Sequence, residues 1–100
     1  MNTNCQVRVA SEFGTDLSSR ARAKQLRARI AAAIDGGCTP VIIDFEGVRT
    51  LSCSFADEAF AVLIIERGEQ SFSRSVNFKA ANKSVADSIA DAIAYRCEPA

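Results

Sequence analysis

Three small side chains that can accept a covalent group or act as nucleophiles stand together in the middle of the chain: Ser52, Cys53 and Ser54. They follow an apolar, strand-like run at residues 39–45 and lead into an apolar, helix-like run at residues 54–67. The first backbone N–H groups of a helix are unpaired and carry a partial positive charge. A hydroxyl there can cap the helix, a phosphate there is stabilised, and a thiol there becomes more reactive. Helix capping, phosphorylation and thiol chemistry are therefore the three roles that fit this turn.

Ser54 is the candidate for the first two roles because the second helix is predicted to begin there. As a cap, its hydroxyl would accept a backbone N–H from two or three residues later, and Asp57 would reach back as in a capping box. As a phosphoacceptor, it would gain contacts with the helix N–H groups, while the negative charges of Asp57 and Glu58 would oppose the phosphate. The residues alone leave both roles open.

Cys53 is the candidate for the third role, as the nucleophile of a small enzyme or as a redox sensor. The chain contains no histidine to act as its base, no cysteine close to it in sequence and no glycine-rich phosphate loop. The four cysteines, Cys5, Cys38, Cys53 and Cys97, lack the paired spacing that zinc sites use. We therefore expect four reduced, mostly structural thiols, no metal and no cofactor, and we keep chemistry at Cys53 as a minor alternative.

The elements that position this turn follow from the spacing of apolar residues. Residues 5–11 alternate as a half-buried strand does, and residues 39–45 form a β-branched run typical of a strand buried on both faces. The spacing further predicts a third strand at 75–81, a polar loop at 68–75, and helices at 18–35, at 54–67 and from Asn82 or Ser84 onwards. The order β-α-β-α-β-α predicts an α/β fold with a small, mainly parallel or mixed sheet.

The second predicted helix carries apolar residues on more than one face. The face expected to pack on the sheet consists of Ala56, Ala59, Phe60 and Leu63. Phe55, Val62 and Ile65 fall on other faces of a regular helix. Either a neighbouring helix covers these three residues, or they form an exposed apolar patch for a partner protein or a second copy of the chain.

Charge and hydropathy exclude some partners. The chain has 12 basic and 12 acidic residues, so its net charge is zero, and its basic segment contains no aromatic residue. This balance argues against nucleic-acid binding. The basic segment is expected to be a solvated helix edge, with an acidic partner surface as the alternative, and it contains Arg20, Arg22, Lys24, Arg27 and Arg29. No signal sequence or membrane span is recognisable, so we expect a cytoplasmic protein without a membrane partner.

The stretch VIIDFEGVRTLSCSFADEAFAVLI, residues 41–64, resembles the central segment of STAS-like domains, the compact bacterial relatives of anti-sigma-factor antagonists. In antagonists of this class a buried strand ends in Asp, a Val lies in the turn, and a Ser/Thr-containing turn opens a helix. Here these parts are Asp44, Val48 and the turn at residues 52–54. The resemblance extends over about residues 6–95 and implies one STAS-like domain in residues 1–100.

The resemblance implies a function as well as a fold. Ser54 matches the serine that the antagonists present to a partner kinase, although Phe55 stands where they usually have glycine. By this resemblance the chain is a non-enzymatic regulatory protein-interaction module, and its partner is a histidine-kinase-like ATPase acting as a serine kinase, or a factor that such a kinase controls. The candidate partner-binding residues are Ser52, Cys53, Phe55, Asp57, Glu58 and Val62. A self-associating structural module is the alternative.

Asp44 ends the buried strand, and α/β proteins often place binding groups at such strand ends. Its carboxylate can also accept hydrogen bonds from backbone N–H groups of the following turn. We favour the second role.

Overall fold

The computed structural model describes residues 5–97, which form five strands, six α-helices and one π-helical segment. The strands are β1 (Gln6–Arg8), β2 (Asp16–Leu17), β3 (Val41–Asp44), β4 (Thr50–Leu51) and β5 (Val76–Lys79). The helices are α1 (Val9–Phe13), α2 (Arg20–Asp35), α3 (Cys53–Ala56), α4 (Val62–Arg67), α5 (Glu69–Ser75) and α6 (Lys83–Cys97), with a π-helical segment, Asp57–Ala61, between α3 and α4.

The main sheet is parallel and has the order β1-β3-β5. Val7 aligns with Ile43 of the central strand, and Ile43 aligns with Phe78. The strands β1 and β5 flank β3 on its two edges. Val41 and Ile43 of β3 are fully buried. The predicted α/β fold with a small parallel sheet is confirmed.

A second, two-stranded parallel sheet pairs β2 with β4 and was not predicted. Leu17 aligns with Leu51, and both are buried. The backbone N–H of Ser52 then donates to the Leu17 carbonyl at 2.8 Å. Two residues per strand are too few to show a periodic pattern, yet this pair fixes where the turn at residues 52–54 begins.

The helix α2 begins and ends close to the predicted positions. The Ser19 hydroxyl accepts the N–H of Arg22 at 3.2 Å, and the chain leaves the helix at Gly36 and Gly37, the latter with φ of 81°. Such a left-handed conformation suits glycine, which has no Cβ. At the other end of the chain, Asn82 caps α6, as one of the two predicted alternatives.

Two segments differ from the prediction. The first predicted strand ends at Arg8, and the chain continues as α1, because residues 9–13 have no further strand to pair with in this sheet. Residues 69–75, predicted as a polar loop, form α5 and bury Phe72. Phe72 contacts the ring of Phe78 at a centroid distance of 6.1 Å. One well-packed aromatic side chain thus outweighs a polar local sequence.

Residues 53–67 form one continuous helical rod through α3, the π-helical segment and α4, which ends at Gly68. The predicted buried face is confirmed, since Ala56, Ala59, Phe60 and Leu63 are at most 1% exposed. The π-helical segment packs between α2 and α6. Its backbone hydrogen bonds span five residues instead of the four of an α-helix, so it behaves as a one-residue insertion within the rod.

The expectation of four reduced thiols is wrong, because Cys5 and Cys38 form a disulfide. Parallel pairing of β1 with β3 brings the starts of the two strands together, and the two Cα atoms lie 5.6 Å apart. Sequence spacing hides this proximity because the two residues are 33 positions apart. Cys53 is a free, exposed thiol, and the side chain of Cys97 lies outside the described part of the chain.

Within residues 5–97 no helix combines the length and the apolar character needed to cross a membrane.

Candidate functional site

Ser52, not Ser54, caps the helix at the turn. The Ser52 hydroxyl accepts the backbone N–H of Phe55 at 3.1 Å, and α3 begins at Cys53. The predicted capping role of Ser54 is therefore wrong. The unpredicted pairing of β2 with β4 ends the extended segment one residue earlier than the sequence indicated. Ser54 becomes the second helical residue, exposed to solvent, and its hydroxyl has no hydrogen-bond partner among the described residues.

Ser54 lies on one wall of an open cleft of about 560 Å³ between the start of α3 and the last turns of α6. The cleft is lined by Arg20, Cys53, Ser54, Asp57, Asp91, Ala92, Tyr95 and Arg96. Tyr95, on the α6 wall, is 86% exposed, which makes it the most exposed large apolar side chain in residues 5–96. We call this feature the Ser54 cleft. Sequence reasoning missed the α6 wall because residues 54 and 95 meet only through the packing of α6 on the rod.

Asp57 sits at the floor of the Ser54 cleft and holds two helices to the rod. Arg96 donates to it twice, from Nε to Oδ1 at 2.9 Å and from Nη2 to Oδ2 at 2.6 Å. Arg20 Nη1, from α2, lies 3.7 Å from Asp57 Oδ2. The hydrogen bonds from Arg96 lower the pKa of Asp57, and the charges of Arg96 and Arg20 lower it further, while burial opposes them. Asp57 therefore stays ionised and bridges α2 and α6.

Glu58 makes a second set of ion pairs with α2. Arg27 Nη1 donates to Glu58 Oε2 at 2.8 Å, and Arg20 Nη1 donates to Oε1 at 3.0 Å. The Arg27 hydrogen bond is the main cause that lowers the pKa of Glu58, and burial opposes it. The basic edge of α2 is thus not simply solvated, because part of it neutralises the acidic pair at positions 57 and 58.

Of the two alternatives for Phe55, the covered one is correct, because its side chain is fully buried and it is therefore not an exposed partner-binding residue. In a regular α-helix, residues nine apart lie on nearly opposite sides, so Phe55 and Ile64 would not both face the core. The π-helical segment between them reduces that separation, and Ile64 is only 5% exposed as well. Val62 is half-buried, and Ile65 is 57% exposed.

Asp44 has the role that we favoured for it. Its side chain is 6% exposed, Oδ1 accepts the backbone N–H of Glu46 at 3.0 Å, and Oδ2 accepts from Gln6 Nε2 at 2.9 Å. It aligns with Arg8 and Lys79 at the carboxyl ends of the three main strands, beside a small polar pocket. Both carboxylate oxygens are thus engaged within the fold.

A second helix start repeats the local pattern of the Ser54 turn. We call residues 52–57 the Ser54 start and residues 82–87 the Ser84 start. At the Ser84 start, Asn82 Oδ1 accepts the N–H of Val85 at 2.8 Å, and Ser84 is an exposed second helical residue. Asp87 pairs there with Lys83 of its own helix at 2.8 Å. Both serines therefore occupy the same position in their helices, and they differ in the charged side chains around them.

Metal binding finds no support in the described part of the chain, where no group of three or more His, Cys, Asp or Glu side chains is placed to hold an ion.

A family model described as "STAS-like domain of unknown function (DUF4325)" matches residues 22–86. The chain belongs to this STAS-like family. The match contains most of α2, the central strand, the whole Ser54 start and the beginning of α6, so the resemblance inferred from residues 41–64 is confirmed. No curated protein and no solved structure matches the chain with significant similarity.

Proposed function

We propose that this STAS-like domain is a regulatory protein-interaction module without catalytic activity of its own, in which Ser54 accepts a phosphoryl group and the Ser54 cleft docks a protein partner. The observation that carries the proposal is the exposed hydroxyl of Ser54, which is released from capping because Ser52 accepts the Phe55 N–H. Ser54 makes no hydrogen bond within residues 5–97 that the modification would break.

The proposed partner is an ATP-dependent serine kinase of the histidine-kinase-like ATPase type, or a factor that such a kinase controls. In the reaction the γ-phosphoryl group of ATP moves to Ser54 Oγ as the bond between the β- and γ-phosphates breaks. ADP leaves, and the hydroxyl proton passes to a base on the kinase. The product carries about −1.5 to −2 charges on a side chain that was neutral. A change of that size alters which surfaces the domain can bind.

The docking surface that we propose combines the turn with α6. Ser52, Cys53, Asp57 and Glu58 remain candidate contact residues, and Val62 is a peripheral one. Tyr95 joins them from the opposite wall of the cleft, where it is 86% exposed. Exposed tyrosines provide a rigid apolar ring with a polar tip and are enriched among the residues that dominate interface affinity. Phe55 supports this surface from within the core.

The test is intact-mass and peptide mass spectrometry of the protein isolated from its native host under several growth conditions, together with whatever remains bound. We expect a phosphoryl group on Ser54 and a co-purifying ATPase. The matched variants are Ser54→Ala, which should abolish the modification, and Ser84→Ala, which should leave it unchanged. A protein that stays unmodified at Ser54 in all conditions, or that is modified equally on Ser84, contradicts the proposal.

A second candidate function is self-association, and the exposed side chain of Ile65 favours it. Ile65 is 57% exposed and lies three residues from the half-buried Val62 on the rod. Residues at that spacing share one helix face, so the two can form a small apolar contact between copies. Size-exclusion chromatography with light scattering tests this. Ile65→Lys should convert a dimer into a monomer, and a wild-type monomer at high concentration excludes the interface.

A further inference from the structure

The Ser54 cleft contains charged side chains from three helical elements, an arrangement that the sequence did not predict. Arg20 from α2 and Arg96 from α6 both line it together with Ser54, and both contact Asp57. Asp57 follows Ser54 by three residues, so the two side chains lie on neighbouring positions of one helix face. A phosphate on Ser54 would therefore stand beside Asp57 and face the same two guanidinium groups.

Ion pairs already engage the acidic groups around this point. Arg96 and Arg20 act on Asp57, and Arg27, Arg20 and Lys24 act on Glu58. A phosphate on Ser54 adds about −1.5 to −2 charges there. The phosphate and the Asp57 carboxylate then repel each other and compete for the same arginines.

The competition favours the phosphate. Guanidinium groups form bidentate pairs with both carboxylate and phosphate, and the phosphate dianion attracts them more strongly because it carries more charge. Arg20 lies 3.7 Å from Asp57 and donates to Glu58 at 3.0 Å, and the side chains of Arg20 and Arg96 are 54% and 45% exposed, so both can reorient. Asp57 is the less exposed partner, at 16%.

We propose that a phosphate on Ser54 takes Arg20 and Arg96 from Asp57 and thereby changes how the last turn of α6 is held against the rod. This inference rests on the proposed function for the modification itself. Tyr95 precedes Arg96 on that turn and forms the opposite wall of the cleft. Modification of Ser54 thus reshapes the docking surface as well as charging it, through one exchange of ion-pair partners.

The test does not need the kinase, because phosphoserine can be inserted during translation at position 54 or at position 84. The Ser84 start is the matched control, since it has the same helix position but only Lys83 and Asp87 as its ion pair. Phosphate titration by ³¹P NMR and amide exchange of residues 91–96 by mass spectrometry are then measured on both proteins and on the unmodified chain.

We expect the phosphate pKa at position 54 to be lower than at position 84 by roughly 0.5–1 unit, because two guanidinium groups stabilise the dianion. Amide exchange in residues 91–96 should change several-fold with phosphate at 54 and stay constant with phosphate at 84. Arg20→Gln and Arg96→Gln, made separately in the chain phosphorylated at 54, should each reduce the pKa difference.

Equal phosphate pKa values at the two positions overturn the inference. So does a lowered pKa at position 54 without any change in the exchange of residues 91–96, since the arginines would then bind phosphate without releasing α6. Neither result bears on whether a kinase modifies Ser54 in the host. Conversely, an unmodified Ser54 in the host removes the proposed function while the inserted phosphoserine still reports on the exchange of partners.

Discussion

Two helices of this domain begin with the same local pattern but have different charged neighbours. The Ser54 start reads S-C-S-F-A-D and the Ser84 start reads N-K-S-V-A-D. In each, the first side chain caps the helix, the third is an exposed serine, and the fourth is a fully buried apolar residue. The sixth, an aspartate, is bound by arginines from two other helices at the Ser54 start and by a lysine of its own helix at the Ser84 start.

The local sequence pattern therefore specifies a helix start and nothing more. A cap, an exposed serine and a buried residue follow from the requirements of any helix that packs on a sheet. The charged cleft arises only where α2, the rod and α6 meet. Four pairs of substitutions measure how far the two starts are equivalent.

The largest effect is expected from the buried residue at the fourth position. Phe55→Ala should lower the free energy of unfolding by about 3–5 kcal/mol, because a large cavity remains in the core. Val85→Ala should cost about 1–3 kcal/mol, since fewer carbon atoms are removed. Urea denaturation followed by circular dichroism measures both. A Phe55→Ala loss below 1 kcal/mol would mean that the ring is not packed as described.

The caps come next. Asn82→Ala should cost up to about 2 kcal/mol, because Asn82 Nδ2 also donates to the carbonyls of Val48 and Arg49 at 3.3 and 3.2 Å. Ser52→Ala should cost about 1 kcal/mol for one lost capping bond. The same denaturation experiment gives the order of the two. Should Ser54→Ala prove as costly as Ser52→Ala, the assignment of the cap to Ser52 would fail.

The aspartates at the sixth position should differ in how much they stabilise the fold, because their charged partners differ. Asp57→Asn is expected to cost about 1 kcal/mol, and Asp87→Asn a few tenths, because Asp87 forms only an exposed pair within its helix. The pKa of Asp57 is lowered in the folded state, so its contribution is complete above the unfolded value near 3.8 and is lost as the pH falls below it.

Denaturation at pH 7 and at pH 3 tests this sign. The difference in stability between wild type and Asp57→Asn should be present at pH 7 and should shrink at pH 3. Glu58, whose pKa Arg27 lowers, adds an acid-sensitive contribution of the same sign in both proteins. A difference that grows on acidification would contradict the ion-pair assignment.

The serines themselves should have the smallest effect on stability. Ser54→Ala and Ser84→Ala are each expected to change the free energy of unfolding by less than about 0.5 kcal/mol, because both side chains are exposed. Thermal unfolding of the two variants measures this. The pair becomes informative when it is combined with phosphorylation, since only Ser54→Ala should abolish the modification.

Much of the fold could be predicted from sequence. The central strand, α2 with its glycine stop, and the buried face of the rod follow from long apolar runs with clear periodicity. The short pair of β2 and β4 and the Cys5–Cys38 disulfide could not be predicted, because each depends on contacts between residues far apart in sequence. The helix around Phe72 could not be predicted because its polar local sequence hides the contact of Phe72 with Phe78.

The site was predicted in part for the same reason. The turn at residues 52–54 was found from its residue types and position, and Asp44 from its place at a strand end. The cap was assigned to Ser54, two residues after its actual position at Ser52. The helix face of Phe55 was inferred with 3.6 residues per turn across a segment that has more. Tyr95 and Arg96 were missed because helical periodicity does not reveal which helix faces which.

The π-helical segment Asp57–Ala61 has a consequence for how this site can vary between genes. Removal of a single codon within it would leave an uninterrupted α-helix rather than break one. Because the π-helical segment already absorbs one residue, the part that carries Ser54 would keep nearly the same direction relative to α4. Ser54 would still face α6, although the stretch between the turn and Gly68 would be one residue shorter. In this chain, therefore, the length of that stretch can change by one residue without moving the serine out of the cleft.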